Sequence, residues 1–249
     1  MLAVLLAAGR GTRMGALTDA CPKPLLPVAG RPLIEHIITG FAAAGVGDFV
    51  IVTGYRGAQI EAVLSDGARL GVRIVYQRQE RAEGTARAVL LARNALTPAP
   101  FALSWGDILV QPELYAAMVR QFSRQPCDAL LAINTVDDPW AGAAVYVEPD
   151  GRVTNLIEKP PRGTSTTRWN CAGVFVFDPV IFDYAARLQP SSRGEYELPQ
   201  AIAAMVADGR RVFSLPIDGF WSDVGTPADL QRAQHEFPAR LDGQTEHRA

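Results

Sequence analysis

Lys23 and Lys159 are the two lysines of a 249-residue chain that carries 24 basic residues; the other 22 are arginine. Lys23 lies in Pro22-Lys23-Pro24 and Lys159 in Glu158-Lys159-Pro160. Prolines on both sides of Lys23 restrict its backbone, which suits the aiming of one ammonium. Arg13 precedes it in the loop Ala7-Ala8-Gly9-Arg10-Gly11-Thr12-Arg13-Met14-Gly15. A compact ammonium and a planar guanidinium both suit a polyphosphate. A glycine-rich turn after a buried strand offers backbone N–H groups to phosphate, and its small residues allow close approach. The alternative is a rigid turn with solvated charges. Two carboxylates complete the set. Asp107 follows Gly106 at the end of the apolar run Phe101–Ser104, and Asp223 sits in Trp221-Ser222-Asp223-Val224-Gly225-Thr226-Pro227. A carboxylate at the carboxyl end of a strand points into the crevice where open α/β sheets bind ligands. The alternative for either aspartate is a helix N-cap.

The loop is no dinucleotide fingerprint, because Met14 stands where the third glycine would fall. It is no Walker A loop either, since no Gly-Lys-Ser/Thr follows. Of the three histidines, His36 falls on an apolar helical pattern and reads as a buried structural imidazole. His235 and His247 lie near the C-terminus, so no Ser–His–Asp or Cys–His nucleophile is suggested.

The surrounding pattern says what must position these groups. Short apolar runs at Leu2–Leu6, Phe49–Thr53, Val72–Tyr76 and Phe101–Ser104 read as strands. Helical patterns alternate with them, from Pro32 to about Ala44 (with Gly45 as the stop), near Ala58–Leu64 and near Thr85–Arg93. Apolar strands alternating with helices predict a mostly parallel sheet covered on both faces. In the second half Leu130–Asn134, Ala143–Val147, Val153–Glu158 and Val174–Phe177 read as strands with few helices between them. Helices return near Leu198–Ala207 and Ala228–Glu236. The expected fold is α/β: one three-layer αβα, Rossmann-like unit on a mixed, mostly parallel sheet, with a small β-rich lobe added.

Composition excludes several classes. With 48% hydrophobic and 20% charged residues the chain is ordinary globular protein, neither disordered nor fibrous. A net charge of −2 gives no global field for nucleic acid or an anionic membrane. Cys21, Cys127 and Cys171 are far apart and lack CxxC spacing. That argues against a disulfide framework or a structural zinc, and for the reduced cytoplasm. No apolar run approaches the roughly 18 residues of a membrane span. The start MLAVLLAAG lacks a basic leader and reads as a first strand rather than a signal peptide.

The stretch LLAAGRGTRMGALTDACPKPLLPVAGRPLIEH resembles the opening signature of the sugar-1-phosphate nucleotidyltransferases, which include thymidylyl-, uridylyl- and guanylyltransferases. The likeness runs through residues 1–237, with 238–249 a polar tail. It implies a nucleotide-binding part to about residue 110 and a later sugar-binding part. It places Leu6, Ala8, Gly9, Gly11, Thr12, Arg13 and Lys23 on the nucleotide. Gln79-Glu80-Arg81-Ala82-Glu83-Gly84-Thr85 matches the base-reading segment, with Gln79 on the base edge and the Gly84–Thr85 backbone beside it. Gly142, Glu158, Lys159 and Asn170 fall on the sugar phosphate, although Asn170-Cys171-Ala172-Gly173 is one residue longer than the family's segment. Asp107 and Asp223 are the implied ligands of Mg²⁺, an ion that takes oxygen ligands and typically one or two carboxylates. Arg13, Lys23 and Asp107 are the implied catalytic residues.

The resemblance implies in-line transfer of a nucleotidyl group from an NTP to a sugar 1-phosphate. Gln79 with Gly84-Thr85 favours UTP or dTTP. The alternatives are a guanylyl- or cytidylyltransferase of the same fold, including one acting on a phosphocholine-type acceptor, or a non-catalytic nucleotide-sugar sensor. No hexapeptide β-helix repeat follows.

Overall fold

The computed structural model describes residues 1–95 and 99–242, the last five by backbone alone; most of the expected polar tail lies outside the described residues. The chain opens with β1 (Leu2–Ala7), α1 (Leu17–Ala20), the short strands β2 (Pro27–Val28) and β3 (Arg31–Pro32), and α2 (Leu33–Ala43). There follow β4 (Asp48–Thr53), α3 (Gly57–Leu64), β5 (Arg73–Arg78), α4 (Thr85–Ala92), β6 (Phe101–Trp105), β7 (Ile108–Val110) and α5 (Glu113–Arg124). The second half holds β8 (Ala129–Thr135), β9 (Ala143–Val147), β10 (Val153–Glu158), β11 (Trp169–Phe177), α6 (Ile181–Arg187), α7 (Leu198–Ala207), β12 (Val212–Pro216), β13 (Trp221–Asp223) and α8 (Pro227–Asp242).

Nine of the described strands form one sheet, in the order β10-β9-β11-β6-β1-β4-β5, with β8 and β12 joining through β11. β1 pairs in parallel with β4 and β6, and β4 with β5. β11 runs antiparallel to both β6 and β8, so the strands of the second half extend the first sheet as expected. Both faces of β1 are apolar: Ala3, Leu5 and Ala7 point into one buried cluster and Val4 into the other. Period-two alternation with no polar face requires cover on both sides, which gives three layers. On one face Phe101 packs against Phe177 and Phe182, with ring centroids 5.9 and 5.2 Å apart. Each such ring buries enough surface to stabilise by about 1.5–3 kcal/mol.

The pattern reading does not supply α1, β2, β3, α5, α6 or β12, nor β7 and β13, which pair in a separate two-stranded ladder. α5 is amphipathic, burying Leu114, Tyr115 and Met118 while its other face is charged and exposed. Among the described residues no α-helix lies between β8 and β11, as expected; α6 follows β11 directly and precedes α7. Pro32 caps α2 from outside rather than occupying its first turn.

Candidate active site

Because β1, β4, β5 and β6 are parallel, their carboxyl ends share one edge of the sheet. An open cleft of about 620 Å³ lies there, and each of the residues that the resemblance placed on substrate or metal lines it. The cleft brings both halves of the chain together, from Leu6 at the end of β1 to Asp223 at the end of β13.

The glycine loop wraps around Lys23. Gly11 has φ 66°, and a Cβ there would press to 3.3 Å from the Lys23 Cβ, so the left-handed turn and the close approach both require glycine. Thr18 Oγ1 donates to the Gly11 and Gly15 carbonyls at 3.2 and 3.1 Å, and buried Met14 pins the loop to the core. The Lys23 side chain is only 8% exposed. Its Nζ lies 2.5 Å from Asp107 Oδ2 and 3.6 Å from Asp223 Oδ1. Arg13 approaches Asp223 at 3.9 Å from an exposed position, a weak pair in solvent.

The ladder of β7 with β13 sets Ile108 opposite Asp223 and so brings the two aspartates together. The Val224 N–H donates to the Asp107 carbonyl at 3.0 Å and closes the turn. The N-cap alternative for Asp223 does not hold. Thr226 and Asp229 cap α8 reciprocally, the Thr226 N–H donating to Asp229 Oδ2 at 2.9 Å and the Asp229 N–H to Thr226 Oγ1 at 3.3 Å. Burial, and then the neighbouring Asp107, push the Asp223 carboxyl up to about 6 against the pull of Lys23 and Arg13. Asp223 Oδ1 is buried without a hydrogen-bond partner. A facing pair of carboxylates with an orphaned oxygen fits a hard divalent cation. Among the described residues no group of three or more His, Cys, Asp or Glu side chains could hold a metal, so a cation here would have the two aspartates as its protein ligands. Mg²⁺ accepts that arrangement when phosphates and water complete its shell.

Just past β5, Gln79 Nε2 donates to the Gly84 carbonyl at 3.2 Å. Gly84 has φ 106°, and a Cβ would sit 2.7 Å from the Tyr196 nitrogen and closer still to its carbonyl oxygen. Here the loop is laced to the segment before α7: the Tyr196 N–H donates to Glu83 O at 2.8 Å and the Ala86 N–H to Tyr196 O at 2.9 Å. Thr85 Oγ1 accepts the Leu198 N–H at 2.8 Å, capping the first turn of α7. The Thr85 hydroxyl therefore has a bond within the fold.

An ion cluster surrounds Lys159. Lys159 holds the left-handed φ of 44°, rare for a side-chain-bearing residue, and its N–H donates to the Gly142 carbonyl at 2.7 Å. Its Nζ lies 3.8 Å from both Glu158 Oε1 and Glu197 Oε1. Arg193 hydrogen-bonds Glu197 and lies 3.6 Å from Glu158. Burial, reinforced by Glu197 and Glu195, pushes the Glu158 carboxyl up to about 7 although Lys159 and Arg193 oppose it. Glu197 is 4% exposed, and its Oε2 has no partner. Asn170 Nδ2 donates to Asn134 Oδ1 at 3.0 Å and to Cys171 O at 3.1 Å, while its Oδ1 lies so near Gly142 that no Cβ fits there.

Several lining residues escaped the sequence reading. Glu197 and Glu195 both line the cleft, and Glu197 is the buried one with the orphaned oxygen. Their segment Arg193-Gly194-Glu195-Tyr196-Glu197 is irregular chain before α7, which carries no period to tell which side chain turns inward. Trp105 and Trp221 line the cleft rather than lying wholly in the core. His36 is structural, as expected: Arg31 donates to its Nδ1 at 3.1 Å, which leaves Nε2–H to donate to the Val28 carbonyl at 2.8 Å. Burial lowers its affinity for a proton.

Comparisons with known proteins agree with this geometry. Over 250 residues the chain is 34% identical to the UTP–glucose-1-phosphate uridylyltransferase AglF of Haloferax volcanii, covering 99% of this chain and all of that protein. It is 34% identical to the glucose-1-phosphate thymidylyltransferase of Streptomyces antibioticus over 92% of its own length, and spans 64% of that protein. A Bacillus anthracis structure assigned as a glucose-1-phosphate thymidylyltransferase, solved with sucrose, superposes with a TM-score of 0.86 at 27% identity over 94% of each chain. The family model for nucleotidyl transferases matches residues 2–240, almost all of the sheet and the whole lining of the cleft, and the chain belongs to that family.

Proposed function

We propose that the protein transfers a nucleotidyl group from UTP or dTTP to a sugar 1-phosphate and releases pyrophosphate. The supporting observation is one cleft in which the glycine loop with Lys23 and the Lys159 cluster flank the facing carboxylates Asp107 and Asp223, one of whose oxygens is buried without a hydrogen bond among the described residues. The relatives with uridylyl- and thymidylyltransferase names agree with a pyrimidine nucleotide, and Gln79 suits an imide edge because an amide donates and accepts at once. Residues 1–237 would form the transferase unit, with nucleotide on the part before about residue 110 and sugar on the part after it. The three free cysteines suit a reducing cytoplasm, and no helix among the described residues is long and apolar enough to cross a membrane.

The attacking oxygen belongs to a phosphate that is already ionised, so no general base is needed. No histidine is among the described residues lining the cleft. The sugar phosphate oxygen forms the new bond to the α-phosphorus, and the bond to the β-phosphate oxygen breaks with its electron pair leaving on pyrophosphate. Lys159 holds the attacking phosphate, Lys23 the α-phosphate, and Arg13 meets the charge that develops on the departing group. Glu158 accepts hydrogen bonds from sugar hydroxyls. Asp107 and Asp223 would hold Mg²⁺, which when bound neutralises phosphate charge and fixes the phosphate oxygens in place. The rest is positioning. The test is pyrophosphate release with Mg²⁺, four NTPs and a panel of sugar 1-phosphates. Release is expected with UTP or dTTP; silence with every pair from folded protein would overturn the reading.

A further inference from the structure

Four cations line the cleft, Arg10, Arg13, Lys23 and Lys159, against six carboxylates. Three of the cations are engaged: Arg13 and Lys23 with the aspartate pair, and Lys159 with Glu158 and Glu197. Arg10 alone among these has no carboxylate partner among the described residues. Its guanidinium instead lies over the ring of Tyr55, 5.5 Å from the centroid. Tyr55 is fixed at both ends of the glycine loop. Its N–H donates to the Ala8 carbonyl at 3.1 Å, and its hydroxyl donates to the Thr18 carbonyl at 3.1 Å. Arg56 completes the support: its Nε donates to the Tyr55 hydroxyl at 3.2 Å, and the same guanidinium bonds the Asp19 carbonyl. The site therefore holds an unpaired guanidinium at the cleft rim, on a platform tied to the phosphate loop.

We propose that Arg10 grips the β- and γ-phosphates of the NTP and, after transfer, the pyrophosphate, with Tyr55 as the residue that positions it. This inference rests on the nucleotidyl-transfer reading. The charge count leads to it. A triphosphate adds negative charge to a cleft whose own carboxylates outnumber its cations, and two of those cations are shared with the metal aspartates. The end of the triphosphate farthest from the sugar then needs a cation of its own. A guanidinium meets two phosphate oxygens at once through its planar fork. A cation held on the face of a half-buried ring keeps its charge and gives up little on leaving it.

The experiment compares Arg10→Ala and Arg10→Lys with the native protein. Affinities for UTP, dTTP, UDP-glucose and dTDP-glucose are measured by titration calorimetry with Mg²⁺ and no sugar phosphate. The KM for inorganic pyrophosphate is measured in the reverse reaction. Both variants should bind the nucleotide sugar within about twofold of native, since it lacks the terminal phosphates. Arg10→Ala should weaken NTP and pyrophosphate by about tenfold or more, the scale of a hydrogen bond to a charged group, and Arg10→Lys should restore part of it. Equal weakening of nucleotide sugar and NTP would mark a merely structural loop residue and overturn the proposal, as would unchanged pyrophosphate KM. A native protein that shows no pyrophosphate-dependent turnover would overturn the underlying transfer reading instead, and this inference with it.

Discussion

Lys23 is enclosed more tightly than a charge-carrying surface residue needs to be, and its ammonium stands against both Asp107 and Asp223. Removing its charge would leave those carboxylates facing each other. An arginine in the same slot brings a wider planar group that cannot occupy a point near two carboxylates at once. Lys23→Arg is therefore expected to lower turnover by about 100-fold or more, the scale of losing a fixed transition-state donor. Steady-state kinetics beside an unchanged circular-dichroism spectrum checks this. The same swap at Lys159, half-exposed, is expected to raise the KM for sugar phosphate with less effect on turnover. Normal kinetics in both variants would make the lysine count an accident of composition. Glu158 gives a pH prediction. Its folded carboxyl titrates near 7, above the ordinary 4.5, because burial and Glu197 oppose its charge. Between those values the folded state keeps a proton that the unfolded chain has lost. Stability therefore falls as pH rises through this window, and the cost is complete above the folded value. Glu158→Gln should flatten that part of the stability curve, read from thermal midpoints at pH 5 to 8. An equal fall in both proteins would remove Glu158 as its source.

At the scale of elements, the seam between the loop Gln79–Gly84 and the segment before α7 is the feature that pattern reading did not supply. Gly84 lets two backbones approach where no Cβ fits, and Thr85 caps α7 from across the cleft. The loop that would read the base and the helix that follows Glu197 are thus one bonded unit. Gly84→Ala must both strain a positive φ and push the Tyr196 backbone away, and backbone strain of this kind costs about 1–3 kcal/mol. The expected outcome is a thermal midpoint lower by several degrees with weakened binding on both the nucleotide and the sugar side. Loss confined to nucleotide affinity would show the seam to be independent of the sugar site. The ladder of β7 with β13 has the same character. Each is three residues long, too short for alternation to announce a strand, yet together they bring Asp107 to Asp223.

For the whole molecule, the nine-stranded sheet runs through both halves of the chain, and the cluster around Phe101 draws on Phe177 and Phe182 from the second half. Neither half can bury its apolar strands alone. Calorimetry of the metal-free protein should therefore show one transition with equal calorimetric and van 't Hoff enthalpies. Two resolved transitions would mean that the nucleotide and sugar parts fold separately. The net charge of −2 excludes a long-range attraction for anions, but it says nothing of the local field, where Arg13, Lys23 and Lys159 stand within one cleft.

The sequence by itself determined the layered α/β class, because strongly periodic apolar runs such as Leu2–Leu6 and Phe49–Thr53 have few ways to be buried. It also determined the candidate residues, because a glycine loop, an aimed lysine and strand-end aspartates are local features. The amphipathic α5 was not placed by the pattern reading, and which of its apolar side chains are core, Leu114, Tyr115 and Met118, depends on what packs against them. Only the tertiary structure shows that Asp223 is free of capping, that Glu197 is buried beside Lys159, and that Arg10 rests on Tyr55 with no carboxylate partner among the described residues. Those are pairings between distant segments, and their energies depend on distance and burial, which no spacing along the chain contains.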